Sequence, residues 1–409
     1  MHILLVHQFF LKDNDGGGSR WNEMSRIWVE AGHQVTVLAG IIHYMEHNSA
    51  QISSKSFTSK MNFDGVEVIS CPATAVSTKG YFKKLSILIS FTFSALWAGI
   101  FHARSKYDLV IVSSPPLFVG ITGIVLSWLK RIPFVFEVRD IWPESAIQTH
   151  VLKNKLLIKA AYWLEGFIYE KAQLINVLTP AFREILMKRK KVPAEKLIYI
   201  PNAADFRIAS EVSIHFDRDN FRKEHQLDHK FVIVYVGAHG IANHLIQILE
   251  TAELVQDTNA YFLLIGDGDH KKWLVDEAQR RNLKNVRFLD KMAKHTVFEF
   301  ILASDMGTSV LQKIEIFKTI YSNKTFDYFS CKKPVLMVID GISRKLVEEA
   351  DAGIFVEPEN PLDFAEKIRY CINNQHLLHQ QGENGYRYAE EYFNRDVLAK
   401  QYLDYLEEL

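Results

Sequence analysis

Short apolar segments alternate with segments of helical periodicity along nearly the whole chain. Most of the apolar segments are continuous, as expected for strands that are buried on both faces of a sheet. Repeated strand–helix units of this kind predict an α/β fold with parallel sheets. The strand pattern occurs over six segments and then restarts over six more: 3–6, 34–39, 66–70, 108–114, 134–138 and 174–179, then 231–237, 261–268, 286–290, 305–310, 334–340 and 353–358.

Two such sets predict two Rossmann-like, doubly wound domains that face each other across a cleft. Ligands of such domains bind at the carboxyl ends of the strands. We expect an N-terminal domain over residues 1–205, a second domain over 206–385, and a helical tail over 386–409 that packs back on the first. The polar, charged run near 209–230 is the best candidate for a linker.

The amino-acid composition limits the kinds of binding partner and the compartment to be expected. The 409 residues carry 48 Lys and Arg against 48 Asp and Glu, so the chain builds no broad positive field and nucleic acid is not expected as a partner. The three cysteines have neither disulfide-framework nor zinc-site spacing, which favours a reducing cytosol. The N-terminal segment lacks the cationic start of a signal peptide.

One apolar segment complicates this picture. Residues 85–103 contain no Asp, Glu, Lys or Arg, but serines dilute the run, so we do not expect it to span a membrane. Its bulky apolar groups and basic flanks predict a helix lying on the cytoplasmic face of the inner membrane. The alternative is a buried helix that covers the N-terminal sheet. The flanking cations are Lys79, Lys83, Lys84, Arg104 and Lys106.

Two motifs of the first half follow strands. Gly16, Gly17 and Gly18 precede a helix, where glycines let backbone amides approach a ligand closely. A flexible turn is the alternative. Arg139 and Asp140 follow the fifth strand, and a charged pair there is unfavourable unless it meets a ligand or pairs internally. A structural ion pair between the two is therefore the alternative.

The second half carries the candidate donor site. Gly237, Gly240 and Asn243 follow its first strand, and Asp267 with Gly268 follows the next, although such residues also form ordinary turns.

A stronger feature is the segment SNKTFDYF, in which Ser322 can cap a helix whose first turn carries Asn323 and Lys324. A helix N-terminus with a lysine suits a diphosphate. Asp327 lies on the same helical face and could accept hydrogen bonds from ribose hydroxyls. The alternative is a capped surface helix with an ion pair between Lys324 and Asp327.

Taken together, these motifs resemble the family 4 glycosyltransferases of the GT-B fold, over nearly the whole chain. The likeness is greatest to a bacterial branch that acts in O-antigen and capsule assembly and is often described as transferring N-acetyl-fucosamine. It depends on GGGSRW, VSSPPLF, VRDIWPES, LTPAF, IPNAADF, SNKTFDYFSCKKPV and LVEEADAGIFVEPENP.

The resemblance implies a retaining transfer from a nucleoside diphosphate sugar, expected to be UDP-linked, to a lipid-linked saccharide, with no cofactor and no required metal. It implies that Gly16 to Gly18 approach the reacting sugar and phosphates, and that Arg139 and Asp140 face the reaction centre. Lys324 and the helix amides would bind the diphosphate, and Asp327 the ribose.

The chain departs from the family pattern at several positions. Of two glutamates separated by seven residues, the second is Asp327 here and the first is Thr319. Ala242, Asn243 and His244 stand where many members have an Arg and a Lys. These departures make a non-catalytic nucleotide-sugar-binding subunit a competing hypothesis. A nucleotide-sugar epimerase is another, because such enzymes share the two-domain fold.

Overall fold

The computed structural model describes residues 1–10, 20–41, 59–73, 81–149 and 151–409. These residues form two compact units. One comprises the described residues up to Pro201 together with those from Asp396 onward, and the other comprises residues 202–395. The second unit therefore ends ten residues into the segment that the sequence predicts as a tail.

The first unit contains an eight-stranded sheet in the order β3-β4-β2-β1-β5-β6-β7-β8. All neighbouring strands are parallel except β3 and β4. Continuous apolar runs such as ILLV and LVIV fill the central strands, which are buried on both faces. The strands are β1 His2–His7, β2 Gln34–Ile41, β3 Ser59–Phe63, β4 Val66–Pro72, β5 Leu109–Ser113, β6 Phe134–Val138, β7 Leu174–Val177 and β8 Leu197–Tyr199.

Helices cover this sheet. The last helix of the chain belongs to this unit, where Trp28 Nε1 donates to the Ala399 carbonyl at 2.8 Å and Trp21 and Tyr402 pack beside it. The helices are α1 Arg20–Glu30, α2 Tyr81–Phe101, α3 Val119–Lys130, α4 Glu144–Gln148, α5 Lys155–Lys171, α6 Pro180–Lys188 and, from the C-terminus, α16 Arg395–Glu407.

The second unit contains a six-stranded sheet, entirely parallel, in the order β11-β10-β9-β12-β13-β14. The chain order along this sheet reverses between β9 and β12, which is where doubly wound sheets bind ligands. The strands are β9 Phe231–Val236, β10 Ala260–Ile265, β11 Val286–Leu289, β12 Met306–Val310, β13 Val335–Val338 and β14 Gly353–Phe355.

The helices of the second unit include two that the sequence did not predict. They lie in the segment that the sequence predicts as a linker. That prediction is wrong, because Asp205 and Asp217 cap helices there and Phe221 packs on Phe300. The helices are α7 Phe206–Ser213, α8 Arg218–Glu224, α9 Ile246–Leu254, α10 Lys271–Arg280, α11 Lys294–Ala303, α12 Asn323–Ser330, α13 Ile342–Glu349, α14 Pro361–Asn373 and α15 Gln375–Tyr392.

The prediction of an α/β fold with two Rossmann-like parallel sheets is confirmed. Sequence periodicity missed β3, whose residues SKMNF are mostly exposed, and β8, which is only three residues long. Within the described part of the chain, no helix combines the length and the apolar character needed to cross a membrane.

Candidate active site

A network of buried hydroxyl groups joins the end of β12 to the start of α12. Ser322 Oγ donates to Ser309 Oγ at 3.1 Å, and the hydroxyl oxygens of Ser309 and Thr325 are 3.1 Å apart. Ser322 does not cap α12 with its side chain, so that prediction is wrong. Its hydroxyl is engaged with Ser309, and the first-turn amides of α12 receive no bond from it. An N-terminus of this kind favours an anion.

The ammonium group of Lys324 lies in the first turn of this helix. Among the described residues it has no carboxylate within ion-pairing distance. It donates a long hydrogen bond to Ser322 Oγ at 3.5 Å and lies 5.0 Å from the centroid of the Tyr235 ring. Burial lowers the pKa of Lys324 from 10.5 to about 8, and the charge of Asp327 opposes that shift only in part. A desolvated cation of this kind is stabilised by an anion that replaces the lost water.

Glycines allow two turns to pack against each other beside Lys324. A Cβ on Gly266, which has φ +146°, would lie 1.9 Å from the carbonyl oxygen of Gly237. A Cβ on Gly268 would lie 2.6 Å from the carbonyl oxygen of His239, and one on Gly237 would lie 3.2 Å from Lys324 Cε. The structure therefore brings the predicted Gly237, Gly268 and Lys324 together, and it adds Gly266, which sequence reasoning missed.

His239 lies within these turns and was also missed. The residue is buried, and neither ring nitrogen has a hydrogen-bond partner among the described residues. Burial, reinforced by the charge of Lys271, lowers its pKa to about 4, so the imidazole is neutral near pH 7. A neutral imidazole has one donor and one acceptor nitrogen, and here both are buried without a partner among the described residues. Its position between two glycines after a strand was the available sequence signal.

The other predicted donor residues occupy the same loops in different ways. The carboxylate of Asp267 accepts a hydrogen bond from the Gly268 amide at 2.7 Å, so this side chain stabilises the turn in which it lies. Asn243 ends a short 3₁₀ helix, and its Oδ1 would lie at the ordinary contact distance of 3.5 Å from a Cβ placed on Gly240. Close approach therefore does not require glycine at position 240. Asn323 is exposed at the start of α12.

Asp327 is half-buried one turn farther along α12. It lies near enough to Lys324 to raise the pKa of the lysine, yet the two form no ion pair. The alternative of a capped surface helix with an ion pair between these residues therefore does not describe α12.

In the first unit, a buried charged network lies beside the end of β6. Arg20 Nη2 donates to Glu137 Oε2 at 3.0 Å, and Asn176 Nδ2 donates to the same oxygen at 2.9 Å. Arg20 also donates to the carbonyl groups of Ile200 and Pro201. The network ties α1, β6, β7 and the segment after β8 together, and sequence reasoning missed all of it.

Arg139 and Asp140 follow this strand. Asp140 Oδ2 accepts a hydrogen bond from Ser145 Oγ at 2.8 Å. Arg139 and Asp140, both among the described residues, do not form an ion pair with each other, so the structural pair considered as the alternative is not present. Burial raises the pKa of Asp140 above 3.8, although the bond from Ser145 opposes this. Burial, with the charges of Arg139 and Arg20, holds the pKa of His7 well below its usual range. The imidazole of His7, at the end of β1, is therefore neutral.

Gly16, Gly17 and Gly18 lie outside the described residues. Within the described part of the chain, no group of three or more His, Cys, Asp or Glu side chains is placed to hold a metal ion.

Comparison with known proteins places both halves of the chain among sugar-transferring enzymes. Residues 15–203 match the family "Glycosyl transferase 4-like domain", and residues 217–388 match the family "Glycosyl transferases group 1". Together with the two Rossmann-like units and the basic N-terminus of α12, these matches define the class. The chain is a glycosyltransferase of the GT-B fold.

Among curated proteins, the chain is similar to the putative colanic acid biosynthesis glycosyl transferase WcaI of Escherichia coli, with 23% identity over 412 residues and 99% of each chain covered. Among solved structures, it resembles sucrose-phosphate synthase from Thermosynechococcus elongatus, with a TM-score of 0.75 and 16% identity over 100% of this chain and 98% of the other. It also resembles Anabaena HepE in complex with UDP-glucose, with a TM-score of 0.72 and 18% identity over 100% of both chains.

Proposed function

We propose that this glycosyltransferase transfers a sugar, with retention of configuration, from a UDP-sugar to a lipid-linked saccharide during assembly of a bacterial surface polysaccharide. The observation that carries the proposal is the partly buried ammonium of Lys324, which has no carboxylate partner among the described residues and lies at an uncapped helix N-terminus. A diphosphate matches that pair of features, because amide donors and a point charge bind its oxygens together.

On the donor side, the Lys324 ammonium and the α12 amides would stabilise the charge that develops on the leaving diphosphate. The glycine turns at Gly237 and Gly268 would let the nucleotide approach the backbone, and Asp327 would accept bonds from the ribose hydroxyls. The complex of HepE with UDP-glucose supports UDP as the nucleotide.

On the acceptor side, Arg139 and Asp140 would face the reacting sugar, with Gly16 to Gly18 approaching it as well. In a retaining transfer the bond from C1 to the diphosphate oxygen breaks, and the bond from C1 to the acceptor oxygen forms on the same face. The acceptor proton passes to the leaving diphosphate, so no metal ion is needed to balance the step. We propose a metal-independent reaction on these grounds.

The polymer is proposed from the likeness to the colanic acid enzyme. O-antigen or capsule assembly, with an N-acetylated amino sugar such as N-acetyl-fucosamine as the transferred group, is the finer form of this proposal. Since such acceptors are lipid-linked, we place the enzyme at the cytoplasmic face of the inner membrane as a peripheral protein.

Calorimetry with UDP and GDP, followed by transfer assays with a panel of UDP-sugars, tests the proposal. We expect UDP to bind, a lipid-linked product to form in the presence of EDTA, and NMR of that product to show the anomeric configuration of the donor. Interconversion of free donor without transfer would instead indicate an epimerase. Binding without turnover on any lipid-linked acceptor would indicate a non-catalytic subunit.

A further inference from the structure

Three neighbouring helices of the first unit expose large apolar side chains to solvent. On α2, Phe93 and Trp97 are 68% and 50% exposed, and they lie four residues apart on one helical face. On α3, Trp128 is 76% exposed beside Leu129. On α5, Leu156 and Trp163 are 79% and 67% exposed. These six side chains define what we term the α2–α3–α5 face.

The three helices lie side by side on one sheet. A Cβ on Gly99 of α2 would lie 2.6 Å from Leu126 of α3, and a Cβ on Gly120 of α3 would lie 2.4 Å from Ile168 of α5. Such close packing makes α3 the centre of the layer, with α2 resting on β2 and β4 and α5 on β6. The exposed groups therefore lie on one layer of helices, and exposed apolar surface of this kind marks an interaction site.

Positive charge borders the apolar rows. Residues 86–132 carry four cations, Arg104, Lys106, Lys130 and Arg131, against one carboxylate, Asp108. Lys106, Lys130 and Arg131 line a half-open recess of about 390 Å³ at the C-terminal ends of α2 and α3. Apolar aromatic groups with cations at their edge match the headgroup region of a bilayer that contains anionic lipid.

We propose that the α2–α3–α5 face docks on an anionic lipid bilayer, with Trp97, Trp128 and Trp163 at the level of the headgroups. Tryptophan is enriched at that level because its ring is amphipathic. This docking surface rests on the proposed function, because it is the lipid-linked acceptor that requires the enzyme to reach a membrane. Sequence analysis expected membrane contact from residues 85–103 alone, whereas the structure adds α3 and α5 to that surface.

Apolar packing also connects this face to the acceptor residues. Trp142, two residues after Asp140, lies against Phe118 with ring centroids 5.9 Å apart, just ahead of α3. It also packs in the cluster that contains Ile158 of α5. A lipid-linked saccharide held in the bilayer would therefore present its sugar at the edge of the face where Asp140 lies.

The test is flotation of the full chain with vesicles of phosphatidylcholine, with and without phosphatidylglycerol. We expect wild-type protein to float with the anionic vesicles and to be released at high salt. The triple variant Trp97→Ser, Trp128→Ser and Trp163→Ser should partition at least tenfold less. The matched control is Trp273→Ser, since Trp273 is also exposed but lies on α10 of the other unit.

UDP calorimetry on the same preparations separates this inference from the proposed function. Unchanged UDP affinity in the triple variant, with vesicle binding lost, supports docking through this face. Wild-type protein that binds UDP but stays unbound to anionic vesicles overturns the docking inference alone. A salt-resistant dimer that the triple variant abolishes would also overturn it, because the face would then bind a second copy of the chain.

Discussion

Replacing Lys324 should separate ligand binding from stability more clearly than any other change to the candidate site. We expect Lys324→Met to weaken UDP binding by about 10- to 100-fold, because a charge-assisted contact contributes about 1.5–3 kcal/mol. The folded protein without nucleotide should be as stable as wild type or more stable. Burial lowers the lysine pKa from 10.5 to about 8, and at ~1.4 kcal/mol per pKa unit the buried ammonium costs about 3 kcal/mol at neutral pH.

The pH dependence provides an independent readout. Below pH 8 the lysine is protonated in both the folded and the unfolded chain. Between about pH 8 and 10.5 the unfolded chain binds more protons, so the unfolding free energy of wild-type protein should rise with pH. Since the ammonium is the form that binds the diphosphate, UDP affinity should fall over the same range. In Lys324→Met the fall in UDP affinity should disappear, and the rise in unfolding free energy should become smaller.

Lys333 supplies a matched control in the same unit. Burial also lowers its pKa to about 8, but it precedes β13 and so lies at the opposite edge of the sheet from the start of α12. Lys333→Met should therefore change the pH dependence of urea unfolding without changing UDP affinity. Wild-type affinity for UDP in Lys324→Met, or an equal loss in both variants, would refute the assignment of Lys324 to the diphosphate.

Three further changes test other parts of the two units. Asp140→Asn should reduce transfer at least tenfold, about 1.4 kcal/mol of barrier, while the melting temperature stays within a few degrees; unfolding or normal transfer would make Asp140 structural. Glu137→Ala should lower the unfolding free energy by about 3–5 kcal/mol, because Arg20 would remain buried without its carboxylate, and urea denaturation measures this. Gly266→Ala should reduce both stability and UDP affinity because its Cβ meets a backbone carbonyl oxygen at 1.9 Å, whereas Gly240→Ala, whose Cβ meets Asn243 Oδ1 at the ordinary contact distance of 3.5 Å, should change neither.

Much of the fold was predictable because burial on both faces of a parallel strand requires a continuous apolar run. Each of the twelve predicted strand segments overlaps an observed strand. The failures have local causes. The strand β3 is mostly exposed and pairs only at an edge of the sheet, so its sequence lacks the apolar signal. The helices α7 and α8 are short and polar, and their caps and aromatic contacts with other elements determine them.

The sequence also located the residues at the strand ends, because the periodic pattern shows where each strand stops. Lys324 and the glycines at 237 and 268 were found in this way. The sequence could not show which polar groups lack partners, since a partner can lie many residues away. The bond between Glu137 and Arg20 spans 117 residues, and only the tertiary structure brings them together.

Local sequence therefore determined the strands, the helices that follow them and the turns where ligands bind, since each depends on neighbouring residues. Tertiary packing decided the chemical state of the site. It partly buried the Lys324 ammonium, buried the His239 imidazole and paired the Ser322 hydroxyl with Ser309. It also directed the Asp140 carboxylate to Ser145 rather than Arg139. The physical reason is that solvation and hydrogen-bond pairing depend on distances in space, which the order of residues along the chain does not give.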